Sequence, residues 1–217
     1  MIRTILVPLD GSRFAETALP VAADLARAAG AQLRLVLVHE PALALVPAAD
    51  VPVPVLPDDA ELRAQAASYL TETAQRLGPI GPGPVAHELV EGLAGPTLAS
   101  YLERARPDLI VMATHGRGPL SRFWLGSVAD HLVRHASAPL LLLRPREGEA
   151  AAEKVKLARA LVPLDLSPES EAILEPLIAL ARLTRAEVTL IHVIEPILGV
   201  AGTIPPYPVA VPHDLIE

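Results

Sequence analysis

Leu6-Val7-Pro8-Leu9-Asp10 returns later in the chain as Leu161-Val162-Pro163-Leu164-Asp165. The match continues in register. Ser12 and Glu16 correspond to Ser167 and Glu171, and Leu25-Ala26-Arg27 to Leu180-Ala181-Arg182. Val38, Glu40 and Pro41 correspond to Val193, Glu195 and Pro196. One offset holds without a gap over roughly forty residues, which marks a duplicated structural unit. In each copy an apolar run is followed by a helical pattern and a second apolar run. Strand, helix and strand with short turns form a right-handed βαβ unit. The second copy reaches its own proline-rich stretch, Pro196 to Pro212, and carries no counterpart of residues 58–145.

Residues 2–9 read as a first strand, apolar enough to be covered on both faces. Asp10-Gly11-Ser12 turns at its carboxyl end, where Asp10 or Ser12 can cap the next helix. Residues 13–29 keep helical spacing, with Phe14, Ala18, Val21, Leu25 and Ala28 inward; Pro20 predicts a kink or break, and Gly30 a C-cap. A second strand covers 33–39. Five prolines between Pro41 and Pro57 make a long loop, read either as a lid or interface arm or as an irregular excursion. A helix is predicted over 58–77, a strand over 85–90, a helix over 97–106 ended by Pro107, and a strand over 109–113. A helix over 127–136, with Val128, Leu132 and Val133 on one face, precedes a fifth strand over 139–144. Strands alternating with helices imply an open parallel sheet covered on both faces. Residues 146–157 read as an exposed linker.

The stretch from Met112-Ala113-Thr114-His115-Gly116-Arg117 to Gly126-Ser127-Val128-Ala129 is where chemistry concentrates. A buried strand breaks into a glycine-bearing loop that ends at a helix N-terminus. Free amides and the positive end of the helix dipole favour an anion there. The bland alternative is that Gly116 and Gly126 serve tight turns and Ser127 is an N-cap. No Gly-Lys-Ser/Thr occurs, and Gly116-Arg117-Gly118 is not completed to a dinucleotide fingerprint. Arg117 and Arg122 are within loop reach of a terminal phosphate, or are ordinary exposed arginines. His131 and His135 share a helix face, but no third ligand is evident, so no metal site built from protein alone is expected.

Composition narrows the classes. The net charge is −7, with no basic cluster, which argues against nucleic acid and anionic membrane as partners. Cysteine is absent, so disulfides and thiolate chemistry are excluded. No apolar run reaches the ~18 residues of a spanning helix. The chain enters its first strand without a basic n-region, so a cytoplasmic location is expected.

Val-Pro-Leu-Asp-Gly-Ser at the first strand, with Ala-Thr-His-Gly, nine residues, then Gly-Ser at the fourth, resembles the universal stress protein family. Residues 1–145 resemble a whole nucleotide-binding domain of it, joined by the 146–157 linker to an incomplete second repeat at 158–217. The resemblance implies an α/β fold with a five-stranded parallel sheet of order 3-2-1-4-5, plus a partial second βαβ repeat. It implies ATP, ADP or AMP as ligand, accompanied by Mg²⁺ held through phosphate oxygens. By the same resemblance Pro8, Leu9 and Asp10 face the ribose or adenine, and the backbone around Val38 lines the adenine pocket. Met112, Ala113, Thr114, Gly116 and Arg117 pass under the ribose and phosphates. Gly126, Ser127, Val128 and Ala129 offer amides, and Ser127 its hydroxyl, to the phosphate chain. The family's nucleotide-binding branch carries Gly-x-x-Gly at this loop, and here the first glycine is Ala113.

These residues leave three functional expectations. The first is a nucleotide-binding stress-response or signalling module. The second is an oligomerisation or partner module whose nucleotide site Ala113 has disabled. The third is a slow ATPase, although Asp10 is the only nearby carboxylate and no general base is positioned. A βαβ piece of ~60 residues has a poor core alone. The second unit is therefore expected to dock on the first or on another chain and bury Leu161, Leu164, Leu174, Leu177, Ile178 and Ile191. A homodimer through edge strand 139–144, the partial repeat 158–217, or both is expected.

Overall fold

The computed structural model describes residues 1–41, 58–114, 125–144 and 157–194. The proline-rich stretch from 42 to 57, the loop residues Gly116, Arg117 and Arg122, most of the linker, and residues 195–217 lie outside the described residues.

The first unit runs β1 (Thr4–Leu9), α1 (Arg13–Glu16), α2 (Ala18–Ala29), β2 (Gln32–His39), α3 (Asp59–Leu77), β3 (Ala86–Glu91), α4 (Ala94–Ala105), β4 (Leu109–Ala113), α5 (Ser127–His135) and β5 (Leu140–Leu143). Its five strands are parallel and ordered β3-β2-β1-β4-β5. This is the architecture and strand order expected. Alternation along the strands sorts side chains into two cores. Ile5, Val7, Leu33, Leu35 and Val111 join Leu25 of α2 and Leu70 of α3 on one face. Leu6, Val36, Ile110 and Met112 join Leu98 and Leu102 of α4 and Leu132 of α5 on the other. The uninterrupted apolar runs of β1 and β4 reflect this double cover.

Local chemistry sets the element ends. The helical pattern over 13–29 breaks at Thr17, before Pro20. Pro20 then falls in the first turn of α2, where an N–H has no intrahelical acceptor in any case. Gly30 closes α2 in the left-handed region, at φ 63°. α4 begins at Ala94, earlier than predicted, because Pro96 is likewise tolerated in a first turn. Ala18, Val21 and Leu25 are buried as expected, and two inward positions are corrected: Phe14 is 55% exposed and Ala28 is exposed, while Ala15, Ala22 and Ala26 share the buried face. In α5 the buried residues are Ala129 and Leu132, and Val133 faces out.

The second unit comprises β6 (Arg159–Leu164), α6 (Pro168–Glu171), α7 (Leu174–Thr184) and β7 (Glu187–His192). β6 and β7 pair in parallel as a separate two-stranded sheet. α7 packs against α2, and its Ala179, Leu180 and Leu183 join the first unit's core. Burial is less than expected: Leu161, Ile178 and Ile191 are exposed, and Val162 is the buried residue of β6. Two strands and one long helix offer too little cover for both faces.

Candidate functional site

The strand order reverses between β1 and β4, which is where open α/β sheets hold ligands. β1 pairs with β4 only over Ile5–Leu109 and Leu6–Ile110. Pro8 explains the short ladder. Thr4 C=O accepts from Asp108 N–H, while Arg3 C=O accepts from Gln32 N–H beside β2. Backbone groups alternate sides along a strand, so Thr4, Leu6 and Pro8 face β4. Proline has no N–H to donate, and the two strands part at their carboxyl ends.

Four chain ends meet this crevice. β1 ends at Leu9, followed by half-buried Asp10. Asp10 Oδ1 accepts the Ser12 N–H at 2.8 Å, and Ser12 Oγ accepts Ala15 N–H at 3.1 Å. Ser12 is therefore the cap of α1, and Asp10 braces the turn. β4 ends at Ala113, and Thr114 N–H donates to Leu143 C=O at 2.8 Å. Gly126 N–H donates to Thr114 C=O at 2.7 Å, closing the neck of the loop. β2 ends at Val38 and His39. α5 starts directly beyond the neck.

Gly126 is the N-cap of α5, with φ −70° and ψ 160°, and Asp130 N–H donates to its carbonyl at 2.8 Å. Ser127 is the first helical residue, so its reading as an N-cap is corrected. No side chain caps this end among the described residues. The amides of Ser127, Val128 and Ala129 belong to the first turn, where the helix supplies no acceptor. The Gly126 amide is already spent on Thr114, which leaves three of the four amides expected to face an anion. Ala113 lies in β4 and has no positive φ. A glycine is not needed there for backbone reasons, and alanine fits without strain.

Pro8, Leu9, Met112, Ala113 and Thr114 are buried, so they can line the crevice chiefly with backbone. Val38 is half-buried at the end of β2. Exposed Ser127 and half-buried Asp10 carry polar side chains on the rim. His131 and His135 stack with ring centroids 4.3 Å apart, and His135 Nδ1 lies 2.8 Å from His131 C=O. No group of three metal-ligating side chains occurs among the described residues.

Two polar contacts were not foreseen from the sequence. His39 Nε2 lies 3.1 Å from Asp59 Oδ1, joining the end of β2 to the start of α3. Glu16 is gripped by Tyr69 and Arg76 of α3. A histidine closing an apolar strand was a signal for the first; no local pattern signalled the second.

A five-stranded parallel sheet of this order, with helices on both faces and its switch point between β1 and β4, defines an open α/β domain. The sequence pattern of the universal stress protein family matches residues 1–144, and the chain belongs to that family. A universal stress protein of Thermus aquaticus is 31% identical over 148 residues, spanning 66% of this chain and 100% of the relative. One from Methanocaldococcus jannaschii is 36% identical over 62 residues, and the match covers 29% of this chain and 36% of that relative's length. Universal stress protein UspA from Lactobacillus plantarum superposes with a TM-score of 0.55 at 25% identity, over 66% of this chain and 98% of that one. A universal stress protein structure from Archaeoglobus fulgidus shares the fold with a TM-score of 0.60 at 20% identity, over 89% of this chain and 68% of that one. None of the described helices is long and apolar enough to cross a membrane.

Proposed function

We propose that this chain is an adenine-nucleotide-binding module of the stress response, acting through nucleotide-dependent conformation or partner choice. The observation that carries the reading is the start of α5. Ser127, Val128 and Ala129 present first-turn amides at the switch point, beside a strand end where Ala113 is unstrained. Amides and a positive helix end suit a phosphate chain. Asp10 would repel phosphates, so it suits the sugar–base side, and the parted ends of β1 and β4 leave room between them. Mg²⁺ would ride on phosphate oxygens, since the described residues offer no cage. Asp10 braces its own turn and suits recognition rather than proton transfer, so hydrolysis is at most slow. The proposed setting is cytoplasmic.

The proposed oligomer is a homodimer. β5 is an edge strand among the described residues, and the second unit exposes Leu161, Ile191 and Val193. Those apolar residues also favour a second reading, a partner module without nucleotide.

The test is to denature the purified protein, identify released nucleotide, and titrate ATP with Mg²⁺ by calorimetry. Adenine nucleotide at one per chain, lost in Ser127→Glu, supports the proposal. No nucleotide and no heat at millimolar ATP (far above the range of a specific site) from a folded sample supports the partner module.

A further inference from the structure

α1 is a single turn, yet it comes directly after the loop that presents Asp10. Its start is fixed locally, by Asp10 and Ser12. Its end is fixed from outside. Tyr69 Oη donates to Glu16 Oε1 at 3.1 Å, and Arg76 Nη2 donates to Glu16 Oε2 at 2.7 Å. Tyr69 and Arg76 lie two helical turns apart on one side of α3, so both carboxylate oxygens are held by one rigid element. The phenol of Tyr69 is pushed up by burial first, then by the Glu16 charge and hydrogen bond, and also by the Asp10 charge. Asp10 therefore stands within electrostatic reach of this cluster.

The second unit repeats the segment without the grip. Glu171, at the position of Glu16, is exposed at the end of α6, and no counterpart of α3 occurs among the described residues. There the aspartate turns in on its own loop. Asp165 Oδ1 accepts both the Ser167 hydroxyl at 2.5 Å and the Ser167 N–H at 3.0 Å. Leu166, in place of Gly11, sits at φ 67°.

We propose that Glu16 is a positioning residue: held by Tyr69 and Arg76, it fixes α1 and thereby sets the Asp10 carboxylate on the rim of the crevice. The ligand it serves is the sugar–base part of the nucleotide, which rests on the function proposed above; the orientation of Asp10 itself does not.

The test compares full-length wild type with Glu16→Ala, Glu16→Gln, and the double variant Tyr69→Phe/Arg76→Ala. Amide exchange at Ser12 reads the Asp10 brace without any ligand, and Ser167 is the internal control. Loss of one hydrogen bond's worth of protection predicts exchange at Ser12 faster by about threefold to tenfold in Glu16→Ala and in the double variant. Ser167 should not change, and Glu16→Gln, which keeps an acceptor oxygen, should recover most of the protection. Affinity for ATP should fall while affinity for inorganic tripolyphosphate holds. Unchanged Ser12 exchange in a folded variant overturns the proposal, as does a parallel fall for ATP and tripolyphosphate. If Glu16→Ala does not fold, the double variant decides. If wild type binds no ATP, the proposed function fails alone, and Ser12 exchange still settles whether Glu16 positions Asp10.

Discussion

Leu6 and Leu161 hold the same register position in the repeat, yet Leu6 is 0% exposed and Leu161 is 67% exposed. Leu6 lies under α4 and α5, in the core with Leu98, Leu102 and Leu132. The second unit has no such helices among the described residues. Identical local sequence thus meets two environments, and the difference lies in what the rest of the chain brings.

Leu6→Ala should therefore cost about 2–5 kcal/mol, while Leu161→Ala should stay within about 0.5 kcal/mol in the monomer. Urea unfolding of the two variants checks this. A large loss for Leu161→Ala that depends on protein concentration would mean that another chain covers the position.

Gly81 has φ +66°, and a Cβ there would meet the Ala31 carbonyl oxygen at 2.1 Å. Both partners are backbone, so neither can yield cheaply. Gly81→Ala should destabilise by roughly 2–4 kcal/mol, through strain and overlap together. A thermal midpoint equal to wild type would refute it.

His39 is buried and Asp59 is half-exposed. Asp59→Ala should leave a buried ring nitrogen without that partner and cost roughly 1 kcal/mol. The expected signature is a lower urea midpoint at unchanged slope, since compactness is not altered.

Asp165 is held down to about 2 by the Ser167 hydroxyl first, then by the Ser170 hydroxyl and the Ser167 amide. The folded value lies below the ordinary 3.8, so the carboxylate's contribution is present above the unfolded value and fades as pH falls toward about 2. Carboxyl titration by NMR should show this, and Ser167→Ala should move Asp165 up toward 3.8. No upward movement would assign the shift elsewhere.

A parallel sheet covered on both faces was legible because β1 and β4 are apolar without interruption and Gly30, Pro107 and Pro139 punctuate the chain. Strand and helix periods gave the elements, and the resemblance gave the order of the sheet. Phe14 and Val133 fit an apolar stripe by spacing, but the buried faces run through Ala15, Ala22 and Ala26 in the first case and Ala129 and Leu132 in the second. The crevice was legible as a place, through Asp10 and Ser127. Its details were not, because Gly126 spends its amide on Thr114, a bond between residues that only a closed loop brings together. The grip on Glu16 joins α1 to α3 across the fold, beyond any local pattern.

α7 lies against α2, whose other side covers the first unit's own sheet. One helix therefore has two masters. Ala179, Leu180 and Leu183 of α7 close part of the first unit's apolar surface. Cutting the chain between the two units would therefore open that surface to water on the piece that was kept.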